Sequence, residues 1–433
     1  MEKHKEEIKL NVLGQSLAVG IVAGLIVLSY RLVLGYAGTW LKAILAYAKE
    51  SPIRMAGWFV ALLIMATIVG QLLKYEPMIS GSGIPQLEGE MEDKMKQTWW
   101  KVLPAKYIGG FLSLLAGLSL GREGPSIQLG AMTGKGIASV LKRGKEDEKV
   151  MLTCGASAGL SAAFHAPLAG VMFALEEVHK KFSVIVLISA MIASISADYI
   201  ASCIIGGAPV FQFEVGNALP YEYYWMLILL GAILGVLGAF YNWTTMKVKA
   251  LFAKPRCLNE TTRLFIPFMI AGVLGFTRPE LLGSGHELIE ALTGKELLLG
   301  AAAAILAAKF LFSIISFGSG APGGIFFPLL VLGAFIGGVF ALACVQYLGL
   351  DPGYVNNFVV LAMAGYFTAI VRAPMTGLIL IFEMTGSVSQ MLSLAVVALA
   401  AYIVATWLKS KPIYDSLLES QLSTMEKGMK KSA

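Results

Sequence analysis

Charge is what this sequence most lacks. Only 14% of its 433 residues are Asp, Glu, Lys or Arg, against about 25% in a soluble globular chain. Histidine and cysteine number four each, with no CxxC pair and no metal-ligand spacing. That excludes a zinc module and a disulfide framework. So little charge also excludes a disordered chain and a nucleic-acid-binding domain. The net charge of +6 lies in short runs: MEKHKEEIK at the start, KRGKEDEK at 142–149, KVKALFAKPR at 247–256 and MEKGMKK near the end. These read as solvated anchors at segment ends, and such Lys/Arg-rich ends stay cytoplasmic. What the chain has instead is 57% hydrophobic residues and 47 glycines without a collagen period. The composition is that of a multi-span helical membrane protein whose helices pack closely.

No cleavable signal peptide is read. The start is polar for about ten residues and its apolar run continues past Leu34, so the first spanning helix is expected to direct insertion. Cys154, Cys203, Cys257 and Cys344 show no pairing pattern, and three of them fall in apolar stretches as small packing residues.

Apolar stretches of spanning length recur at 11–36, 57–73, 182–207, 222–245, 297–317 and 388–408. The regions 103–176 and 318–384 are instead cut repeatedly by Gly and Pro. Broken helices are tolerated at membrane depth where they line a cavity or are buried in protein. The two broken regions match. AGLSAAFHAPLAGVMFALE ends at Glu176 and AGYFTAIVRAPMTGLILIFE at Glu383, so that Pro167, Gly170 and Glu176 align with Pro374, Gly377 and Glu383 at an offset of 207. Ala105–Lys106 aligns with Ala308–Lys309, and the GSG of 81–83 with that of 283–285. Four matches in one order make an internal repeat. Interrupted segments at corresponding places in two halves point to a transporter's midplane site. The expected division is a cytoplasmic segment 1–10, a first membrane repeat 11–210, a second 211–408, and a C-terminal segment 409–433.

Three motifs stand at the breaks: SGSGIP (80–85), GREGP (121–125) and GGIFFP (323–328). Each is a glycine-rich turn before an apolar helical run. Glycine lets backbone approach a ligand. A helix starting there aims free N–H groups and a partial positive charge forward. Three such starts converging in the membrane would make an anion site without a full cation.

In this order and spacing the motifs resemble those of the CLC chloride channel and transporter family, over about residues 15–420. The resemblance implies an all-α integral membrane protein of the CLC fold, a homodimer, with two inverted repeats of broken and tilted helices per subunit. It implies Ser82 and Tyr414 (in KPIYDSLL) as hydroxyl donors to chloride. Gly124, Ile325 and Phe326 would offer backbone at the anion. Glu123 in GREGP would be the external gate and Glu177 in FALEEVHKKF the internal proton-transfer carboxylate. The serine in GSGIP implies chloride, and a glutamate at 177 implies a proton-coupled antiporter. A passive chloride channel of the same family is the alternative. The implied partners are chloride, protons, membrane lipid and a second subunit, with no cofactor, metal or nucleic acid. The setting is a prokaryotic inner membrane with both termini cytoplasmic. About twenty residues follow Tyr414, so no nucleotide-sensing module is expected there. Phe327 departs from the family, where many relatives carry a small residue before the proline.

Each residue has a plainer reading. Ser82 could cap a helix, Tyr414 could be an interfacial aromatic, and the Phe326 ring could be core. For Glu123 the rival is a salt bridge to Arg122, weakened because adjacent helical residues do not face each other. An ionised Glu123 is itself an anion and competes with chloride for the same N–H groups; protonated, it loses that attraction and swings away. Glu176 has a repeat partner in Glu383, which marks it as architectural, whereas Glu177 faces Met384 and is unique to the first half. Glu88 in QLEGEMED reads as solvated loop charge. GASAG (155–159) fits a hydrolase elbow built on Ser157, but it lies in an apolar helix with no strand before it. GSGAPG (318–323) fits G-x-G-x-x-G without the βαβ unit that motif needs. His165, opposite Arg372 in the repeat, is read as packing or interfacial.

Overall fold

A computed structural model of the chain describes residues 2–432, apart from 212–214, 216–218, 255–258 and 295–297. The side chains of 2–10, 388 and 427–432 also lie outside the description. Cys257, the end of the 247–256 basic run and the charges of both termini therefore fall outside the described residues.

Among the described residues the secondary structure is helical, with one isolated antiparallel bridge. The first half holds α1 (Glu2–Lys49), α2 (Pro52–Tyr75), α3 (Ile84–Met91), α4 (Trp99–Leu115), α5 (Glu123–Val140), α6 (Lys145–Phe164), α7 (Pro167–Phe173) and α8 (Val184–Ile205). Between α7 and α8 runs a π-helical turn, Ala174–His179. The second half repeats the order: α9 (Tyr224–Ala253), α10 (Thr262–Thr277), α11 (His286–Gly294), α12 (Leu299–Gly318), α13 (Phe326–Leu348), α14 (Val355–Val371), α15 (Pro374–Thr385) and α16 (Met391–Trp407). A last helix, α17 (Ile413–Ser432), returns to the site. Seven helices among the described residues are long and apolar enough to cross a membrane. Their outer faces carry exposed apolar side chains such as Ile64, Ile195, Ile228 and Leu311, as lipid-facing helices must.

Two expectations about these segments need correction. The second broken region contains an uninterrupted helix, α13, because Pro328 sits in its first turn, where a missing N–H costs nothing. The stretch 388–408 yields only the 17 residues of α16 after a short 3-10 turn.

The repeat seen in the sequence is a physical exchange in the structure. Glu176 accepts hydrogen bonds from the backbone N–H groups of Met375 (3.2 Å) and Thr376 (2.8 Å) at the start of α15. Glu383 accepts from Leu168 (3.0 Å) and Ala169 (2.8 Å) at the start of α7. Gly81 N–H donates to Gly320 O, and Gly283 N–H to Gly117 O. In each pair, residue i of one half meets j of the other and j meets i, which is the mark of a two-fold relation. The reason for the carboxylate exchange is local: the residues preceding α7 and α15 are Ala166 and Ala373, whose side chains cannot cap.

Glycine sets how closely the helices approach. A Cβ on Gly130 would lie 2.1 Å from Gly155 O, and one on Gly134 2.0 Å from Met151 O, so α5 and α6 touch backbone to backbone. The equivalent α13 and α14 do the same, with a Gly337 Cβ 2.3 Å from Phe358 O. This small-residue contact is how membrane helices gain packing without a hydrophobic driving force.

Candidate functional site

The three glycine motifs converge. Gly81 and Gly83 hold φ of 64° and 91°, a left-handed conformation that side chains strain against. Gly323 N–H donates to Gly81 O at 2.9 Å, and Gly121 and Gly324 exchange two N–H···O bonds of 2.7 Å. A Cβ on Gly124 would meet the Ser82 Cβ at 2.8 Å, and one on Gly324 would lie 3.0 Å from Gly124 N. The starts of α3, α5 and α13 therefore meet in one buried cluster, and their unpaired N–H groups make it electropositive.

Ser82 is buried in this cluster. Its Oγ accepts from Ile84 N–H at 3.4 Å, so the capping role exists but is long for a hydrogen bond. Tyr414, on the first turn of α17, is fully buried, and its hydroxyl has no hydrogen-bond partner among the described residues. Leaving a buried hydroxyl unpaired costs about 1–3 kcal/mol, so that group is set for something the chain itself does not supply. A cavity of about 20 Å³ runs from Ser82 to Leu417 and Gln421 on α17 and is lined by Lys249. That volume is roughly one water-sized sphere. Lys249 was expected to be a loop anchor; α9 instead carries it to this cavity. Ile325 precedes α13 and Phe326 opens it, both fully buried. The Phe326 ring packs on Phe367, Phe164 and Phe173 with centroids 4.6, 5.3 and 6.1 Å away, so its side chain is core.

Glu123 opens α5 and is fully buried. Its carboxylate faces the backbone N–H groups of Arg122, Glu123 and Phe327, and neither oxygen closes a hydrogen bond among the described residues. Arg122 Nε lies 3.8 Å from Oε1. The rival ion pair is thus present, though too long for a hydrogen bond. A Cβ on Gly121 would lie 2.2 Å from Oε2, so only glycine leaves room for the carboxylate there. Phe327 covers this end. Its ring lies 5.7 Å from His286, 6.1 Å from Phe211 and 6.2 Å from Phe164.

Glu177 is buried on the π-helical turn, a local geometry often found at functional sites. Glu88 corrects the expectation of a solvated loop charge. It lies on α3 with 1% of its surface exposed, covered by α17 and the π-helical turn.

Three positioning residues went unread in the sequence. Lys106 is fully buried and donates to Ile79 O (2.9 Å) and Gly81 O (2.6 Å), pinning the turn before Ser82. Lys309 repeats this at Leu281 O (2.9 Å) and Gly283 O (2.7 Å). The aligned Ala-Lys pairs were the available signal. Gln128 on α5 donates to Met78 O (2.9 Å) and Gln97 Oε1 (2.6 Å). Its amide fills the place a Gly83 Cβ would take. Elsewhere, Ser157 is buried in α6 and donates to Ala190 O, as a packing serine does. His165 caps the end of α6 in a left-handed conformation and pairs with Asp198 at 2.7 Å.

A buried, electropositive meeting of helix starts, on a two-fold repeat of membrane helices, defines a membrane transport protein for an anion. The sequence profile of the voltage gated chloride channel family matches residues 63–406. The H(+)/Cl(-) exchange transporter ClcA of Vibrio cholerae serotype O1 is 35% identical over 98% of this chain and 92% of its own. That of Yersinia pestis bv. Antiqua is 31% identical over 98% and 90%. The crystal structure of a slow cyanobacterial Cl-/H+ antiporter superposes with a TM-score of 0.90 at 31% identity, covering 95% of this chain and 98% of the other. The chain belongs to the voltage gated chloride channel (CLC) family.

Proposed function

We propose that this protein is a secondary active transporter that exchanges chloride for protons. One observation carries the reading: the buried meeting of helix starts at Ser82 and Gly124 is accompanied by two buried carboxylates, Glu123 and Glu177, and by a buried Tyr414 hydroxyl with no hydrogen-bond partner among the described residues. Relatives matched over 90% or more of their own length bear the name of H(+)/Cl(-) exchange transporter, which supports it.

In this reading chloride lies between Ser82 Oγ and Tyr414 Oη, facing the N–H groups that open α5 and α13 at Gly124, Ile325 and Phe326. Neutral donors suit passage, because a full cation in low dielectric would hold the ion too tightly to release it. Glu123, ionised, competes for the same N–H groups as the anion; protonated, it withdraws and admits chloride. Glu177 hands protons to it from the other side. The two routes share only Glu123, and that sharing couples them.

The protein is further proposed to be a homodimer through α7, α8, α15 and α16, in a prokaryotic inner membrane with both termini cytoplasmic. Its repeats span 11–210 and 211–408. The test is Glu123→Gln in proteoliposomes: chloride movement persists and proton movement is lost. Proton pumping retained in that variant would refute the assignment.

A further inference from the structure

We propose that Lys180 is a positioning residue for coupling: its ammonium, shared between Glu88 and Asp415, ties the helix bearing Tyr414 to the buried carboxylates Glu88 and Glu177. This inference rests on the exchanger reading above and concerns how the proton half communicates with the chloride half.

Lys180 follows the π-helical turn as its left-handed end, with φ 53°. Its Nζ lies 2.7 Å from Asp415 Oδ1 and 3.7 Å from Glu88 Oε1. Asp415 is the next residue after Tyr414 on the first turn of α17. Glu88 belongs to α3, the helix that starts beside Ser82. One ammonium therefore joins the three elements that carry the serine, the tyrosine and the internal glutamate. The exposures are graded: the side chains of Lys180 and Asp415 are 36% and 41% exposed, that of Glu88 1%. Lys180 stands at the boundary between water and the buried carboxylates.

Glu88 itself is unusual. Both carboxylate oxygens are buried without a hydrogen-bond partner among the described residues. A buried charge is retained only where it is paired or used. The cation nearest to it among the described ion pairs, Lys180, is beyond hydrogen-bond distance and engaged with Asp415. Glu177 feels the charges of Glu88, Lys180 and Asp415, and of Glu176 beside it; Glu92 is the other acid acting on Glu88. Glu88 is thus placed to take a proton from water and pass it to Glu177. When an O–H bond forms on Glu88, its carboxylate charge is lost and Lys180 belongs to Asp415 alone. Transfer of that proton to Glu177 restores the Glu88 carboxylate, and the ammonium is shared again. Each proton that passes changes the hold on α17, and with it on Tyr414.

The test is the proton-to-chloride ratio in proteoliposomes for the wild type, Lys180→Met, Lys180→Arg, Asp415→Asn and the reciprocal exchange Lys180→Asp with Asp415→Lys. Lys180→Met and Asp415→Asn are expected to lower the ratio at least about fivefold, the lower end of ordinary coupling between sites, while chloride still moves. Lys180→Arg should keep most of the ratio, and the reciprocal exchange should regain part of it. A structural role alone would lower turnover and stability and leave the ratio unmoved. A wild-type ratio retained in both Lys180→Met and Asp415→Asn overturns this proposal and leaves the exchanger reading standing. A wild type that moves chloride with no protons overturns both. Should Lys180→Met fail to fold, Asp415→Asn reads the same link from the exposed side.

Discussion

Replacing Glu383 with alanine should weaken the junction between the two halves by an amount the geometry sets. Its carboxylate accepts two backbone N–H bonds, from Leu168 at 3.0 Å and Ala169 at 2.8 Å. The residue in the local capping position, Ala166, has no side chain to replace it. A hydrogen bond to a charged group contributes about 1.5–3 kcal/mol, and losing a cap about 0.5–2 kcal/mol. Two bonds that share one acceptor group are not independent, so Glu383→Ala should cost about 2–4 kcal/mol. Glu176 makes a third bond, with Thr376 Oγ1 at 2.6 Å, and Glu176→Ala should cost about 1 kcal/mol more. The assay is the unfolding free energy in mixed micelles with increasing dodecyl sulfate, for both variants and the double variant. A Glu383→Ala protein within about 0.5 kcal/mol of the wild type would refute the idea that each half caps the other.

Three further outcomes follow from the same geometry. Gly83→Ala places a Cβ 2.2 Å from Gln128 Oε1 at a φ of 91°. It should cost about 2–4 kcal/mol in strain and overpacking and lower chloride affinity measured by calorimetry at least about tenfold. Phe327→Ala removes the ring packed on His286, Phe211 and Phe164. It should raise the chloride turnover of proteoliposomes several-fold, on the order of 1 kcal/mol in barrier, and an unchanged rate would show that this ring does not limit passage. Tyr414→Phe removes only the unpartnered hydroxyl, so it should weaken chloride binding about five- to tenfold with little change in stability, read by calorimetry and melting temperature together.

Much of this molecule could be read before any coordinate, and the reason is that its information is local. Low charge and glycine-cut apolar runs dictate membrane helices with breaks. Short motifs mark helix starts, and α3, α5 and α13 do open at SGSGIP, GREGP and GGIFFP. The offset of 207 between Glu176 and Glu383 became a reciprocal pair of caps because repeated sequence folds into repeated structure. The separation of Glu176 from Glu177 holds for the same reason: the first meets backbone of the other half, and the second does not share that contact.

What stayed hidden depends on partners distant in the chain. QLEGEMED looks like a solvated turn by its own composition. Its Glu88 is buried because α17, more than 300 residues later, packs on α3. Gln128 is one glutamine on an apolar helix until Gly83 and Gln97 are seen around it. Lys249 belongs to a basic run by sequence and to a cavity by structure. Phe327 departs from the family by one residue, yet its ring partners come from α6, α11 and the segment before α9. The π-helical turn that holds Glu177 has no sequence signal that distinguishes it from the α-helix it continues.

The central claim is that chloride and proton movements are obligatorily linked through Glu123 and Glu177. The most direct test is purified protein in liposomes under a chloride gradient, with no imposed proton gradient and the membrane potential clamped by valinomycin and matched potassium. The account predicts that protons move against their own developing gradient, driven by chloride, and that Glu177→Gln abolishes this while chloride continues to flow. Chloride flux with no proton movement in the wild type would contradict it and make the protein a passive channel.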